Sequence, residues 1–239
     1  MVAAPIPDDL SARFAAALPP GVDYATLRVV VERSTTTRLE RGVVCPYAAS
    51  VDRGAMVTVH KGTGLGYAAT ADLTVSGLRS AFQRAVAWAE KSAGALAFSM
   101  EHAPRPNPTG TYRSPVDVPL SALSVGDQIS KLQGLFSSLP KTDLLVHTDL
   151  SFTTLEVETR LLTSGGGDVV QHTTIVSPDA TVVAHRDGVT QRRSLGLRGH
   201  SRQGGWEVLD QTGFAATPAS LAEEALALLD APDCPTETQ

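Results

Sequence analysis

Lys61-Gly-Thr-Gly-Leu-Gly-Tyr-Ala-Ala-Thr-Ala-Asp-Leu-Thr-Val-Ser-Gly-Leu-Arg79 decides the fold, because a strand-like run passes through it straight into a helical one. Downstream, Leu78, Ala81, Phe82, Ala85, Val86 and Ala89 form one apolar stripe about four turns long, with Thr74 or Asp72 placed to cap it. Upstream the period is two: from Tyr24, Leu27, Val29 and Val31 share one face while Arg28, Val30 and Glu32 share the other. Short strands are expected over 35–44, 47–51, 55–60 and 66–69, separated by Arg41-Gly, Asp52-Arg-Gly and Lys61-Gly-Thr-Gly turn signals. Such a meander predicts a mostly antiparallel sheet, with the helix covering one of its faces.

The rest of the chain repeats this order of elements with a different texture. Leu10, Phe14, Ala17 and Leu18 predict an amino-terminal helix over 8–18, ended by Pro19-Pro-Gly. Ala103-Pro-Arg-Pro-Asn-Pro-Thr-Gly, followed by Ser114-Pro and Val118-Pro, reads as a linker, because proline lacks the amide donor and restricts its predecessor. A helix over 124–137 is then expected, with Val125, Ile129, Leu132 and Phe136 inward. Strands follow over 143–152, 154–162, 169–176, 181–185 and 190–197, with Gly165-Gly-Gly167, Ser177-Pro-Asp and Asp187-Gly as turns. Thr217-Pro-Ala-Ser opens the last helix, with Leu221, Ala225, Leu228 and Leu229 inward. The expected class is α+β: two mostly antiparallel sheet units with covering helices, over 1–102 and 120–239, joined by a Pro-rich linker over 103–119.

Composition narrows the function classes. With 239 residues, 42% hydrophobic and 19% charged, the chain can bury a substantial core. A net charge of -5 with scattered Lys and Arg gives no basic stripe to neutralise phosphates, which disfavours nucleic acid as a partner. The start has neither a basic nor a continuous apolar segment, and no run of about 18 apolar residues follows, so the expectation is a cytoplasmic protein with no membrane partner. Cys45 and Cys234 stand on no metal-type spacing and read as ordinary reduced thiols.

The chemistry-bearing candidates read more simply as structure. Gly62-Thr-Gly-Leu-Gly66 lacks both the G-x-G-x-x-G pattern and a Walker ending, and leads into strand, so its glycines suit a hairpin and close strand approach. His60, His102, His147, His172, His185 and His200 are dispersed, with no i, i+4 pair to hold zinc. Glu156, Glu158 and Arg160 share one strand face, which is the usual pattern of a solvated ion pair. No G-x-S-x-G elbow supports a nucleophile. Arg192 and Arg193 fit either an acidic partner or the charges of a protected edge strand. The residues therefore assign no catalytic and no metal-ligating position, and leave substrate contacts unassigned.

Several motifs in order and spacing carry a family resemblance: Asp52-Arg-Gly, Gly66-Tyr-Ala-Ala-Thr-Ala-Asp-Leu73, Glu158-Thr-Arg-Leu-Leu-Thr-Ser-Gly-Gly-Gly167, Arg192-Arg-Ser, Gly205-Trp-Glu and Ala225-Leu-Ala-Leu-Leu-Asp-Ala-Pro232. The chain resembles the amino-terminal region of the TldD/PmbA family, and Arg193-Ser194 with Gly205-Trp-Glu leans toward its TldD-like branch. The resemblance implies a zinc-dependent intracellular peptidase, often built from two related subunits, whose metal sits in a downstream H-E-x-x-x-H helix. No such motif occurs in this sequence. Zinc is thus implied for the full-length family member and no cofactor for this chain, which is expected to be inactive alone. Its expected role is that of scaffold, subunit contact and wall of the peptide cleft, with a metal-bearing half or related subunit as partner and a peptide or unfolded protein as substrate. The alternative is a stand-alone, non-catalytic peptide- or protein-binding regulatory subunit of the same fold. A modulator of DNA topoisomerase is the third class, and the acidic charge balance ranks it last.

Overall fold

The computed structural model describes residues 5–196 and 198–232; Cys234, and Leu197 at the end of the expected strand over 190–197, lie outside the described residues. In chain order the elements are α1 (Leu10–Ala17), β1 (Tyr24–Glu40), β2 (Val43–Val44), β3 (Ala48–Lys61), β4 (Gly64–Thr70), α2 (Val75–Ser92), β5 (Thr109–Arg113), α3 (Val125–Ser137), β6 (Leu145–Thr163), β7 (Asp168–Arg186), β8 (Val189–Ser194), β9 (Arg202–Gln203), α4 (Val208–Gln211) and α5 (Thr217–Ala227). The class is α+β with a largely antiparallel sheet, as the two-residue periodicity predicts.

Two compact units are woven from alternating segments. The first takes the chain up to Arg33, then Ser50–Arg113 and Glu156–Thr173; the second takes Ser34–Ala49, Ser114–Leu155 and the chain from Thr174. In the first unit the strand order is β4-β3-β1-β6-β7-β5, with β5 parallel to β7. Its core joins Leu27, Val29, Val57 and Val59 from the strands to Leu10 and Phe14 of α1 and Leu78, Phe82 and Ala85 of α2. Thr74 caps α2, its hydroxyl accepting from Gly77 N at 3.1 Å, while Asp72 accepts from Thr74 N at 2.9 Å. Both candidate caps are therefore used, one holding the other.

The second unit packs Leu39, Leu150, Phe152, Val176 and Val182 against Leu132 of α3 and Leu221 of α5, with Trp206 and Phe214 stacked edge-on at 5.7 and 5.8 Å from Phe152. Ser124 and Asp127 close a reciprocal capping box at the start of α3. Here β7 pairs antiparallel with β8 from Thr181 to Arg186 and with β9 at Ile175 and Val176.

Two expected turns are extended strand. Asp52-Arg-Gly54 lies within β3, just before the first β4 pair, Ala55 with Thr70, and Ser177-Pro-Asp179 lies within the 19-residue β7. Pro178 fits because the edge partner changes there: the β9 pairs end at Val176 and the β8 pairs begin at Thr181. A missing amide costs least where no ladder bond is due on that side. The Pro-rich stretch 103–119 also carries fixed structure. Tyr24 Oη donates to Pro106 O at 2.6 Å, Thr163 Oγ1 donates to Asn107 Oδ1 at 2.6 Å, and 109–113 form β5.

Candidate functional site

In the second unit, alternation sends Leu39, Leu150 and Phe152 into the helix-covered core and leaves Arg38, Glu40, His147 and Asp149 on the other face. Arg38 Nε donates to Asp149 Oδ2 at 2.8 Å, its Nη2 donates to the same oxygen, and Nη2 also lies 3.1 Å from Glu40 Oε2. The hydrogen bond to Asp149 raises the Arg38 pKa, against a smaller opposing effect of burial. His147 Nδ1 is 4.0 Å from Glu40 Oε1. Thr36 and Thr153 extend this row with a 3.1 Å hydroxyl contact.

At the end of the row, Glu40 pairs with Val43 across Arg41-Gly42, whose φ angles of 50° and 78° define the two-residue turn with both central residues left-handed. Only the second of these is glycine, and a Cβ there would stand 2.7 Å from the Phe136 ring. Arg41 adopts an uncommon backbone for its side chain, held by its N–H donating to Thr148 O at 2.8 Å. Beside the turn opens a groove of about 950 Å³, with Phe136, Leu139 and Leu145 as apolar wall and Arg41, Lys141, Asp143 and His147 as a polar rim of mixed charge. A groove with an apolar wall and a mixed polar rim suits a peptide segment whose side chain packs on the wall while its main-chain carbonyl meets Arg41 or Lys141.

Farther along, Asp179 has an Oδ1 that is buried without a partner, as has His200 at Nδ1. Burial pushes the Asp179 carboxyl up, reinforced by nearby Asp149 and opposed by the Ala180 amide, Arg192 and His200. The Gly205-Trp-Glu motif is a clip. Trp206 N donates to Val118 O at 2.9 Å and Trp206 Nε1 to Leu120 O at 2.9 Å, while the Glu207 carboxylate accepts from Val118 N at 2.8 Å and Gly205 N at 2.7 Å. A Cβ on Gly205 would stand 1.9 Å from Val118 O, so only glycine admits that approach. Burial alone would raise Glu207, but the surrounding backbone amides of Gly205, Val118, Glu207 and Asp117 hold it below the ordinary carboxylate value.

The histidines stay apart in function. His60 is 9% exposed, ring-stacked edge-on with Tyr24 at 5.4 Å, and burial lowers its pKa, helped by Arg105. His185 Nδ1 meets Thr190 Oγ1 at 2.9 Å, and His172 pairs with Arg113 across β5 and β7. Among the described residues no three His, Cys, Asp or Glu side chains converge as a metal site, so this donor set does not fit a zinc centre. Gly62 (φ 56°) makes the β3–β4 turn, and Cβ atoms on Gly64 and Gly66 would stand 1.9 Å from Ala89 O and Ala85 O of α2. These glycines serve a hairpin and close helix packing, with their neighbours supplied by protein. Arg160 binds Asp168 and Ser11 (Nε and Nη2 donors, 2.9–3.1 Å) rather than projecting into solvent beside Glu156. Arg193 pairs with Glu224, and Arg192 faces Asp179. Arg38, Glu40, Asp149 and Asp179 were not singled out from sequence; the signal was the polar alternation of 38/40 and 147/149 around buried neighbours.

Residues 25–89 match the family model described as PmbA/TldA metallopeptidase domain 1. Residues 25–89 of this α+β chain are thus similar to the first domain of the TldD/PmbA family. Among solved structures it is similar to a protein from Thermotoga maritima MSB8 described as a proposed modulator of a DNA gyrase, with a TM-score of 0.63 and 18% identity over 94% of this chain and 49% of that one. TldE from Thermococcus kodakarensis gives 0.61 and 16% over 90% of this chain and 46% of its own. A further proposed modulator of DNA gyrase, from Bacteroides thetaiotaomicron VPI-5482, gives 0.60 and 16% over 80% and 45%. At these identities the likeness is one of fold, and the chain spans about half the length of these structures. No curated protein matches the chain. Among the described residues no helix is long and apolar enough to cross a membrane.

Proposed function

We propose that this chain is the cleft-wall and subunit-contact region of a TldD/PmbA-type zinc-dependent peptidase, contributing peptide binding while the metal and the water-activating base lie in other sequence. The observation that carries this reading is the groove of about 950 Å³ in the second unit, walled by Phe136 of α3 with Leu139 and Leu145 and joined through His147 to the Arg38–Asp149–Glu40 row. Extended peptides are held with little sequence preference where a shallow groove takes side chains and polar rim groups meet the main chain, and a sheet edge of the chain could add main-chain pairing. A related, metal-bearing subunit or half is the partner this reading requires, and an unfolded segment is the substrate.

The test is reconstitution. The chain is mixed with a separately expressed metal-bearing half of a TldD/PmbA relative, and cleavage of an unstructured peptide is followed with and without chelator. Cleavage that needs both components, and that weakens at least tenfold with Arg41→Ala or His147→Ala while circular dichroism is unchanged, supports the reading. A chain that binds neither the metal-bearing half nor the peptide removes it and leaves the stand-alone regulatory reading.

A further inference from the structure

In the first unit β4 is an edge strand, paired on one side with β3. Hydrogen-bond directions fix which groups face outward there. Leu65 N donates to Ser92 Oγ at 3.0 Å rather than to a strand, and the same hydroxyl donates to Leu65 O at 2.8 Å. Arg84 Nη2 donates to Ala69 O at 2.8 Å. Alternation along an antiparallel strand then turns the N–H and C=O of Tyr67, midway between them, outward as well. Ser92, Trp88 and Arg84 are spaced by four along α2, a rise of about 6 Å per step. Leu65, Tyr67 and Ala69 are spaced by two along β4, about 6.7 Å per step. The two rows run matched, because Gly64 and Gly66 let the α2 backbone settle against β4.

Ser92 therefore occupies both outward groups of Leu65 and Arg84 the carbonyl of Ala69, while Trp88, opposite Tyr67, occupies neither of its groups. Among the described residues no side chain meets the outward N–H and C=O of Tyr67. At this gap Trp88 is 59% and Tyr67 66% exposed, and together with Leu65 and Ser92 they line a cleft of about 300 Å³. Lys91 sits 5.2 Å over the Trp88 ring, and Arg84 stands one turn away, so the rim is cationic; Glu90, the nearby acid on α2, is engaged by Lys61. Exposed Trp and Tyr beside an unpaired stretch of strand edge have the makeup of an interaction hot spot.

We infer that this gap is a docking site for an extended segment of another protein, in which one residue pairs with the Tyr67 backbone, its apolar side chain enters the Tyr67–Trp88 cleft, and a nearby carboxylate meets Lys91 and Arg84. The occupied Leu65 groups and Ala69 carbonyl keep main-chain pairing short, so the side chain and the charge, rather than a long ladder, select the partner. This site is separate from the groove of the second unit, and its test does not involve peptide cleavage.

The probe is a blocked hexapeptide of β-branched residues with one central Phe and an Asp two positions on, titrated into the ¹⁵N-labelled chain. Expected results are a shift of the Tyr67 amide, protection of Trp88 from acrylamide quenching with Trp206 unchanged, and at least fivefold weaker binding when Phe is replaced by Ala or Asp by Lys in the peptide. Trp88→Ala should weaken binding at least tenfold. Tyr67→Pro should abolish it while preserving the fold, because the lost N–H faces away from β3. Lys91→Glu should reverse the preference between the Asp and Lys peptides, a result that misfolding would not produce. An unmoved Tyr67 amide at millimolar peptide, or equal binding by all peptides, overturns the inference. A Tyr67 shift that depends on protein concentration without peptide also overturns it, by assigning the edge to self-association.

Discussion

The two units solve the same packing problem with opposite side-chain economies. In the first, small residues bring backbone against backbone: Gly64 and Gly66 lie under Ala85 and Ala89, and α2 settles directly on β4. In the second, bulk fills the space: Phe152, Trp206 and Phe214 stack edge-on between sheet and helices. The difference teaches where each unit tolerates change. A unit built on close backbone approach fails when atoms are added, whereas one built on aromatic bulk fails when atoms are removed.

The largest expected effect breaks the second unit by removal. Phe152→Ala empties the centre of the aromatic stack and should cost about 3–5 kcal/mol in urea unfolding. Trp206, buried and 5.7 Å from Phe152, reports the loss by its fluorescence, while exposed Trp88 reports on the first unit. Phe82→Ala is the counterpart in the first unit, best followed by amide exchange along α2. Equal shifts at both probes for either substitution would show that the units melt together and would end the contrast.

Next comes addition. Gly66→Val places a side chain where a bare Cβ already stands 1.9 Å from Ala85 O and 2.5 Å from Ala89 N, so α2 must lift. About 1–3 kcal/mol of destabilisation is expected. Gly134, inside α3, has nothing within 4 Å of its would-be Cβ, and Gly134→Ala should stabilise by about 0.4–1 kcal/mol through the unfolded chain. If Gly66→Val left the melting temperature unchanged, the close-approach account of the first unit would be wrong.

These glycines also mark how far the sequence could be read. The hairpin at Lys61-Gly-Thr-Gly, the caps at Thr74 and Ser124 and the apolar stripe of α2 are local signals, because the residues that make them lie within a few positions of each other. The continuity of β1, β3, β6 and β7 through apparent breaks was hidden, since neighbouring strands decide whether Asp52-Arg-Gly54 or Ser177-Pro-Asp179 bends. The site was less legible still. Arg38 meets Asp149, and Trp206 reaches Leu120, across separations that periodicity does not encode, so Gly205-Trp-Glu could be recognised as a motif without its job as a clip being visible.

Two carboxyls of the second unit should respond to pH in opposite senses. Glu207 is held below its ordinary value, so its contribution is present at neutral pH and is lost as pH falls through its folded pKa. Asp179 is raised by burial, so it favours the fold most at pH below the ordinary Asp value and less as pH rises through its folded pKa. Glu207→Gln should destabilise at pH 7, by about 1 kcal/mol after allowing for solvent at a partly exposed group, with a smaller effect near pH 3. Asp179→Asn should stabilise at pH 7 and lose that advantage near pH 3. Parallel pH profiles for the two variants would contradict the opposite environments assigned to them.

The smallest effect concerns the charges that the sequence made most conspicuous. Arg193 binds Glu224 of α5 through Nε at 2.7 Å and through Nη2, but both side chains are almost half exposed, at 46% and 44%. Water already solvates both charges there, and two long side chains lose rotamer freedom to meet. Arg193→Ala should therefore cost less than about 1 kcal/mol, and the cost should shrink further between 0.05 and 0.5 M salt, as the screening length falls from roughly 14 to 4 Å. The pair Arg38–Asp149 has the same residue types but a less exposed carboxylate, at 23%, and two hydrogen bonds to a single oxygen, with Glu40 alongside. Asp149→Ala should cost more than Arg193→Ala and keep more of its effect in salt, since it leaves a half-buried Arg38 without its main partner. A double-mutant cycle on each pair measures the difference directly, and equal coupling energies with equal salt dependence would show that the polar row is ordinary surface.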